Sequence, residues 1–172
     1  MKILLVDYDN TLFDTNECIK ASAKELWGLE INEEELRKTK KKGKSVIYSL
    51  AYTKYSHLAK PNYTMINYIK NKVREGNVVF VLTARHCSVR PYVDFSLLSY
   101  SVIVSGIICR NDEEMKMKDE EWKAKIIQLF EGEIELYDDK EENLRYIYNL
   151  YKNKNIKYFL VKGDKIIEYD MN

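Results

Sequence analysis

Apolar positions along the chain come in two patterns. Residues 3–6, 78–82 and 102–108 are nearly unbroken Val/Ile/Leu runs, and residues 134–137 form a shorter one. Runs of that length predict strands covered on both faces, as in a parallel sheet. Between them apolar residues recur at helical spacing. Met65, Ile66, Ile69 and Val73 predict a helix over 65–74 with Gly76 as its stop, and residues 122–130 and 144–151 repeat the pattern. Strand and helix in alternation imply right-handed crossovers, and hence an α/β Rossmann-like three-layer sandwich with a mostly parallel sheet. Residues 157–169 carry two short apolar segments around Lys162-Gly163-Asp164, which predicts a terminal hairpin. Residues 16–63 break the alternation, because they separate the first two strands by far more than one helix and look helical throughout. They predict a small inserted helical cap, with a core domain of residues 1–15 and 62–172, a cap of 16–61, and Pro61 where the cap rejoins the core.

A chain of 172 residues is long enough to bury one core plus such an insert. Apolar content of 45% and charged content of 32% are ordinary, and the net charge of +1 selects no partner. The charge is uneven: residues 37–44 (RKTKKKGK) are basic, and residues 112–121 and 131–142 are rich in acids. Cys18, Cys87 and Cys109 are widely spaced and odd in number, which argues against a disulfide framework and for a reducing compartment. No Cys/His group has zinc spacing, no signal sequence precedes the first strand, and no apolar run nears the roughly 20 residues that cross a bilayer. The expectation is a soluble cytoplasmic protein without membrane partners. Nothing in the composition sets its oligomeric state.

Chemistry concentrates where the strands end, the usual place for ligands in an open parallel sheet. The first strand runs into Asp7 and Asp9, the second into Thr83, and the last of the core set into Asp138 and Asp139. Carboxylates so placed repel one another and are costly to desolvate unless a cation joins them. Oxygen donors alone favour a hard ion such as Mg²⁺.

These motifs resemble those of the haloacid dehalogenase-like superfamily. Asp7-Tyr8-Asp9-Asn10-Thr11 is similar to its first motif, D-x-D-x-[TV]; Thr83 to the second; and Asp138-Asp139 with Asn143 to the fourth. The third motif is a lysine for which Lys116, Lys118, Lys123 and Lys125 compete, with Lys123 preferred beside Trp122. The resemblance covers roughly residues 2–143 and leaves cap and tail unmatched. It implies a Mg²⁺-dependent phosphatase acting through an aspartyl-phosphate. In that scheme Asp7 is the nucleophile and Asp9 the general acid and base. Thr83 and Lys123 serve the phosphoryl group, with Asn10, Thr11 and Arg85 at the substrate. Asp7, the Asp9 carbonyl and Asp139 hold the metal, supported by Asp138 and Asn143. Haloacid hydrolysis fits less well, because it generally lacks the second aspartate of the first motif.

Each residue also has a plainer reading. Asp9 is able to cap a turn, Thr83 to start a helix, Arg85 to pair with a carboxylate, Asn143 to face solvent and Cys87 to be a bystander. In the cap, Tyr48, Tyr52 and Tyr55 follow the basic run at helical spacing. They read either as a helix burying its rings beside a solvated loop, or as a basic, stacking lip for a nucleotide or nucleic-acid end. The segments LTAR and IELYDDKEENLRYI are similar to a subgroup associated with RNA repair, which commonly has arginine where Lys140 stands. Three functions follow: hydrolysis of a small phosphorylated metabolite or nucleotide, phosphatase action on nucleic-acid termini, or phosphate or nucleotide binding without turnover.

Overall fold

The computed structural model describes residues 1–171. The chain divides into two compact units, Met1–Leu12 with Asn62–Asn172, and Phe13–Pro61. In the first unit β1 (Ile3–Asp7), β4 (Val78–His86), β5 (Gly106–Arg110), β6 (Ile134–Asp138), β7 (Ile156–Lys162) and β8 (Lys165–Glu168) form one sheet. Their order is β5-β4-β1-β6-β7-β8, all parallel except β8. β6 is buried at every position and β1 at all but its first, which explains the continuous apolar run of β1.

Helices cover both faces. α6 (Asp119–Ile127) and α7 (Glu141–Leu150) pack Trp122, Ile127, Leu144 and Ile147 against Leu5, Ile134 and Leu136. α4 (Tyr63–Arg74) lies on the other face, where Tyr68 Oη meets Tyr137 Oη at 2.7 Å, because neighbouring strand residues point to opposite sides. Asn62 caps α4 by accepting from the Met65 amide at 3.2 Å, and Gly76, at φ 87°, follows its C-terminus. The β7–β8 hairpin turns at Gly163-Asp164, with Lys162 opposite Lys165 and Gly163 at φ 57°.

Several expectations are corrected. The second strand continues to His86, so Thr83 lies inside it. The third begins at Gly106; Val102 is buried without belonging to a strand. α6 starts at Asp119 rather than Trp122. α5 (Arg90–Ser99) was not legible: it buries only Val93 and Leu97 and leaves Phe95 and Leu98 exposed, so its apolar period is blurred. Cys87 and Cys109 form a disulfide with Cα atoms 5.1 Å apart, whereas Cys18 is a buried thiol outside that bond. The odd count concealed one pair, and it carries no argument for a reducing compartment. Among the described residues no helix is long and apolar enough to cross a membrane.

The second unit is not helical throughout. Phe13–Asp14 (β2) and Lys60–Pro61 (β3) pair as a two-residue antiparallel ribbon. Inside it, α1 (Asn16–Trp27), α2 (Glu33–Lys38) and α3 (Lys44–Tyr52) bury Cys18, Ile19, Ala23, Leu36, Ile47 and Ala51 together. Tyr48, Tyr52 and Tyr55 pack against this cluster, as the helix-burying alternative expects. Of the basic run, Lys38 pairs with Glu34 at 2.6 Å, Lys44 donates to the Arg37 carbonyl, and Lys41 lies over the Trp27 ring.

Candidate active site

β1 sits between β4 and β6, so its tip is flanked by two others. Asp7 is its last residue and Asp138 the last of β6, with Asp139 following. Carboxylate oxygens of Asp7, Asp138 and Asp139 all lie within 4.8 Å of one another. Beyond β1 the chain turns tightly, the Leu12 amide donating to the Tyr8 carbonyl at 3.0 Å. Asn10 enters the left-handed region at φ 62°, a conformation asparagine tolerates better than most residues. The turn sends Thr11 back toward the strand, where its Oγ1 donates to Asp7 Oδ2 at 2.9 Å.

Lys123 comes from the middle of α6 and is wholly buried. Its Nζ lies 2.9 Å from Asp7 Oδ1, 2.6 Å from Asp138 Oδ2 and 3.5 Å from Asp119 Oδ2. Burial opposes its charge, but the three carboxylates outweigh that and raise its pKa. Lys116, Lys118 and Lys125 are exposed, and Lys125 pairs with Glu114.

Asp138 is saturated: Oδ1 accepts from the Lys140 amide, and Oδ2 from Lys123 and from Asn143 Nδ2 at 3.1 Å. Asn143 is buried and also donates to Asp119 at 2.8 Å, so the solvent-facing alternative is excluded. The Asp7 carboxyl is driven up chiefly by burial and further by Asp138 and Asp139, with Lys123 pulling the other way. Burial and then Asp138 push Asp139 up to about 6. Asp119 goes to about 2: burial opposes its charge, but Lys123, Lys140, Asn143 and Arg110 prevail.

Asp9 stands apart from the three clustered carboxylates. Arg85, itself buried, grips Asp9 with a fork, Nε to Oδ2 at 3.0 Å and Nη2 to Oδ1 at 2.6 Å. Its guanidinium also lies over the Tyr8 ring, 4.7 Å from the centroid. The carboxylate-pairing alternative therefore describes Arg85 here. Thr83 is buried, and its Oγ1 accepts from the Arg85 amide at 3.3 Å.

Does this cluster suit a cation? Asp139 Oδ1 is buried with no hydrogen-bond partner, an orphaned acceptor in a wholly oxygen-donor group. Two adjoining carboxyls, Asp7 and Asp139, are held above their ordinary range by burial and by the charge of Asp138. A hard divalent ion relieves both conditions, so the residues fit Mg²⁺.

Sequence reasoning missed Asp119 and Arg110. Asp119 opens α6 and collects Lys123, Asn143 and Arg110 Nη2, the last at 3.2 Å. An acid four residues before Lys123 was the available signal. Buried Arg110 had none, because its place depends on where β5 ends.

No family model and no curated protein matches the sequence. Solved structures do. A haloacid dehalogenase-like hydrolase from Streptococcus pneumoniae is 12% identical with a TM-score of 0.65, covering 94% of this chain and 84% of its own. A haloacid dehalogenase-superfamily hydrolase of subfamily IA from Geobacter sulfurreducens is 17% identical with a TM-score of 0.59, covering 92% and 88%. A chain of the Pnkp1/Rnl/Hen1 complex is 15% identical with a TM-score of 0.61, covering 95% of this chain and 47% of its own. This protein thus spans about half the length of that chain. Sheet order, flanking helices and these likenesses agree: the chain has the haloacid dehalogenase-like fold.

Proposed function

We propose that the protein is a Mg²⁺-dependent phosphomonoester hydrolase that works through an aspartyl-phosphate on Asp7. The observation that carries this reading is Asp7 itself, at the tip of a central strand between Lys123 and Thr11, beside Asp138 and Asp139. Asp7 and Asp139 would hold Mg²⁺, which when bound neutralises charge so that a carboxylate can approach a phosphoryl group. Asp138, saturated by its three donors, keeps Lys123 and Asn143 in position.

Asp7 forms the new oxygen–phosphorus bond as the ester bond to the leaving oxygen breaks. Asp9 supplies the proton to that oxygen, then removes one from the water that cleaves the acyl phosphate. Thr83 and Lys123 stabilise the phosphoryl oxygens, and Asn10 and Thr11 border the substrate. Arg85 acts through Asp9 by holding its carboxylate.

The test is hydrolysis of a generic aryl phosphate. It should require Mg²⁺ or Mn²⁺, stop with a chelator, and vanish in Asp7→Asn. Asp9→Asn should slow turnover by roughly 10²–10⁴-fold while substrate still binds. Near-normal activity of Asp7→Asn would rule out the covalent route.

A small phosphorylated metabolite or nucleotide is the substrate class this reading favours. Action on nucleic-acid termini is the second reading. It draws on the likeness to a chain of the Pnkp1/Rnl/Hen1 RNA repair complex, of which this chain spans less than half, and on the exposed Lys40 and Lys42 of the second unit.

A further inference from the structure

β4 and β5 run in register through Phe80–Gly106, Val81–Ile107 and Leu82–Ile108, and next pair at His86–Arg110. Residues 83–85 therefore stand opposite Cys109 alone, as a hump in the strand. On the other side, the ladder with β1 ends at Asp7–Leu82. The hump thus rises just past the point where both neighbouring ladders let go. It contains Thr83 and Arg85, the residue that forks Asp9.

The far end of the hump is pinned in three ways. His86 pairs with Arg110, His86 Nε2 lies 2.7 Å from Asp112 Oδ1, and Cys87 is covalently joined to Cys109. The first is one strand pairing to buried Arg110, and the second is an ordinary hydrogen bond whose Asp112 end is exposed. The disulfide is the strong one, and it attaches to the very residue the hump spans. Cys87 is exposed and Cys109 half-buried, so an external thiol can reach the bond.

We propose that the Cys87–Cys109 disulfide is a redox latch that holds the hump, and with it Thr83 and Arg85, in working position. A dithiol reductant opens the latch. Its two thiols give two electrons and two protons, the Cys87–Cys109 bond breaks to two thiols, and the reductant becomes a disulfide. The opened hump keeps only its hydrogen bonds and samples other conformations, so Asp9 loses its fixed partner. The activity arm rests on the phosphohydrolase reading; the exchange arm does not.

The experiment compares air-oxidised and dithiothreitol-reduced protein, each alongside Cys87→Ser/Cys109→Ser. Amide hydrogen exchange is followed at residues 83–86, and aryl phosphate turnover is measured with Mg²⁺. Reduction should speed exchange at these amides roughly tenfold or more while β1 and β6 stay protected. Turnover should fall in parallel, and the double variant should match the reduced protein with or without dithiothreitol. Exchange at 83–86 that is indifferent to redox state overturns the latch, as does alkylation of the unfolded chain that labels Cys87 and Cys109 as well as Cys18 after air oxidation. A redox-dependent exchange difference without turnover in either state supports the latch and overturns the phosphohydrolase reading instead.

Discussion

Arg85 holds both oxygens of Asp9 in one planar fork, at 3.0 and 2.6 Å, while its guanidinium rests on the Tyr8 ring. Two parallel N–H bonds fix direction as well as distance. Lysine cannot reproduce that fork or the stacking. Arg85→Lys and Arg85→Ala should therefore both lower kcat, by roughly 10-fold or more, with smaller changes in KM, as expected when a general acid–base group is misplaced. Steady-state kinetics with circular dichroism checks this; a large rise in KM at constant kcat would instead make Arg85 a direct phosphate contact.

Lys123 is wholly buried among Asp7, Asp138 and Asp119. Removing one partner from such a group leaves uncompensated buried charge, typically costing about 3–5 kcal/mol. Lys123→Ala should lose both activity and thermal stability, while exposed Lys118→Ala changes neither appreciably. Thermal melts and turnover assays on the two variants decide it, and equal effects would remove Lys123 from its role.

Mg²⁺ should raise the melting temperature if, as proposed, it is held by Asp7 and Asp139, which come together only in the folded chain. At a hundredfold excess over Kd the gain is about 2.7 kcal/mol. Asp139→Asn replaces the carboxylate whose Oδ1 has no hydrogen-bond partner by a neutral amide and should abolish most of that gain. Melts across a Mg²⁺ titration test this, and an undiminished shift in the variant would place the ion elsewhere.

Glu114 gives a pH prediction away from the site. Burial opposes its charge, but the Asn111 amide, Lys125 and Trp122 Nε1 together hold its carboxyl below the ordinary value of 4.5. A lowered folded pKa means the contribution to stability is present above the unfolded value and fades as pH falls through the folded one. Glu114→Gln should therefore destabilise at neutral pH, and the gap from wild type should narrow below pH 4.5. Denaturant unfolding at several pH values measures this; a constant gap would mean the carboxylate charge is irrelevant.

The second unit tests the choice of substrate. If nucleic-acid termini are the substrate, neutralising Lys38, Lys40, Lys41, Lys42 and Lys44 together should weaken oligonucleotide processing far more than aryl phosphate hydrolysis. On single strands each phosphate contact adds a log–log salt slope near −0.7, so the slope should flatten as well. Equal losses on both substrates, or none, leave the run a solvated surface and favour the metabolite reading.

The sequence alone determined what depends on neighbouring residues. An unbroken apolar run set β1, because a strand covered on both faces favours apolar residues throughout, and the acids that close β1 and β6 stand at strand tips. The turn at Gly163 and the helix stop at Gly76 were equally local, each set by one residue's backbone freedom. Tertiary structure decided whatever pairs distant residues. Which lysine reached the carboxylates depended on where α6 begins and which face it buries, a packing outcome that brings Lys123 to Asp7 across 116 positions. The pairing of Cys87 with Cys109, the fork between Arg85 and Asp9, and the recruitment of Asp119 and Arg110 likewise depend on strand register and a hump in β4. Register is a property of two strands together, so no periodicity within either one records it.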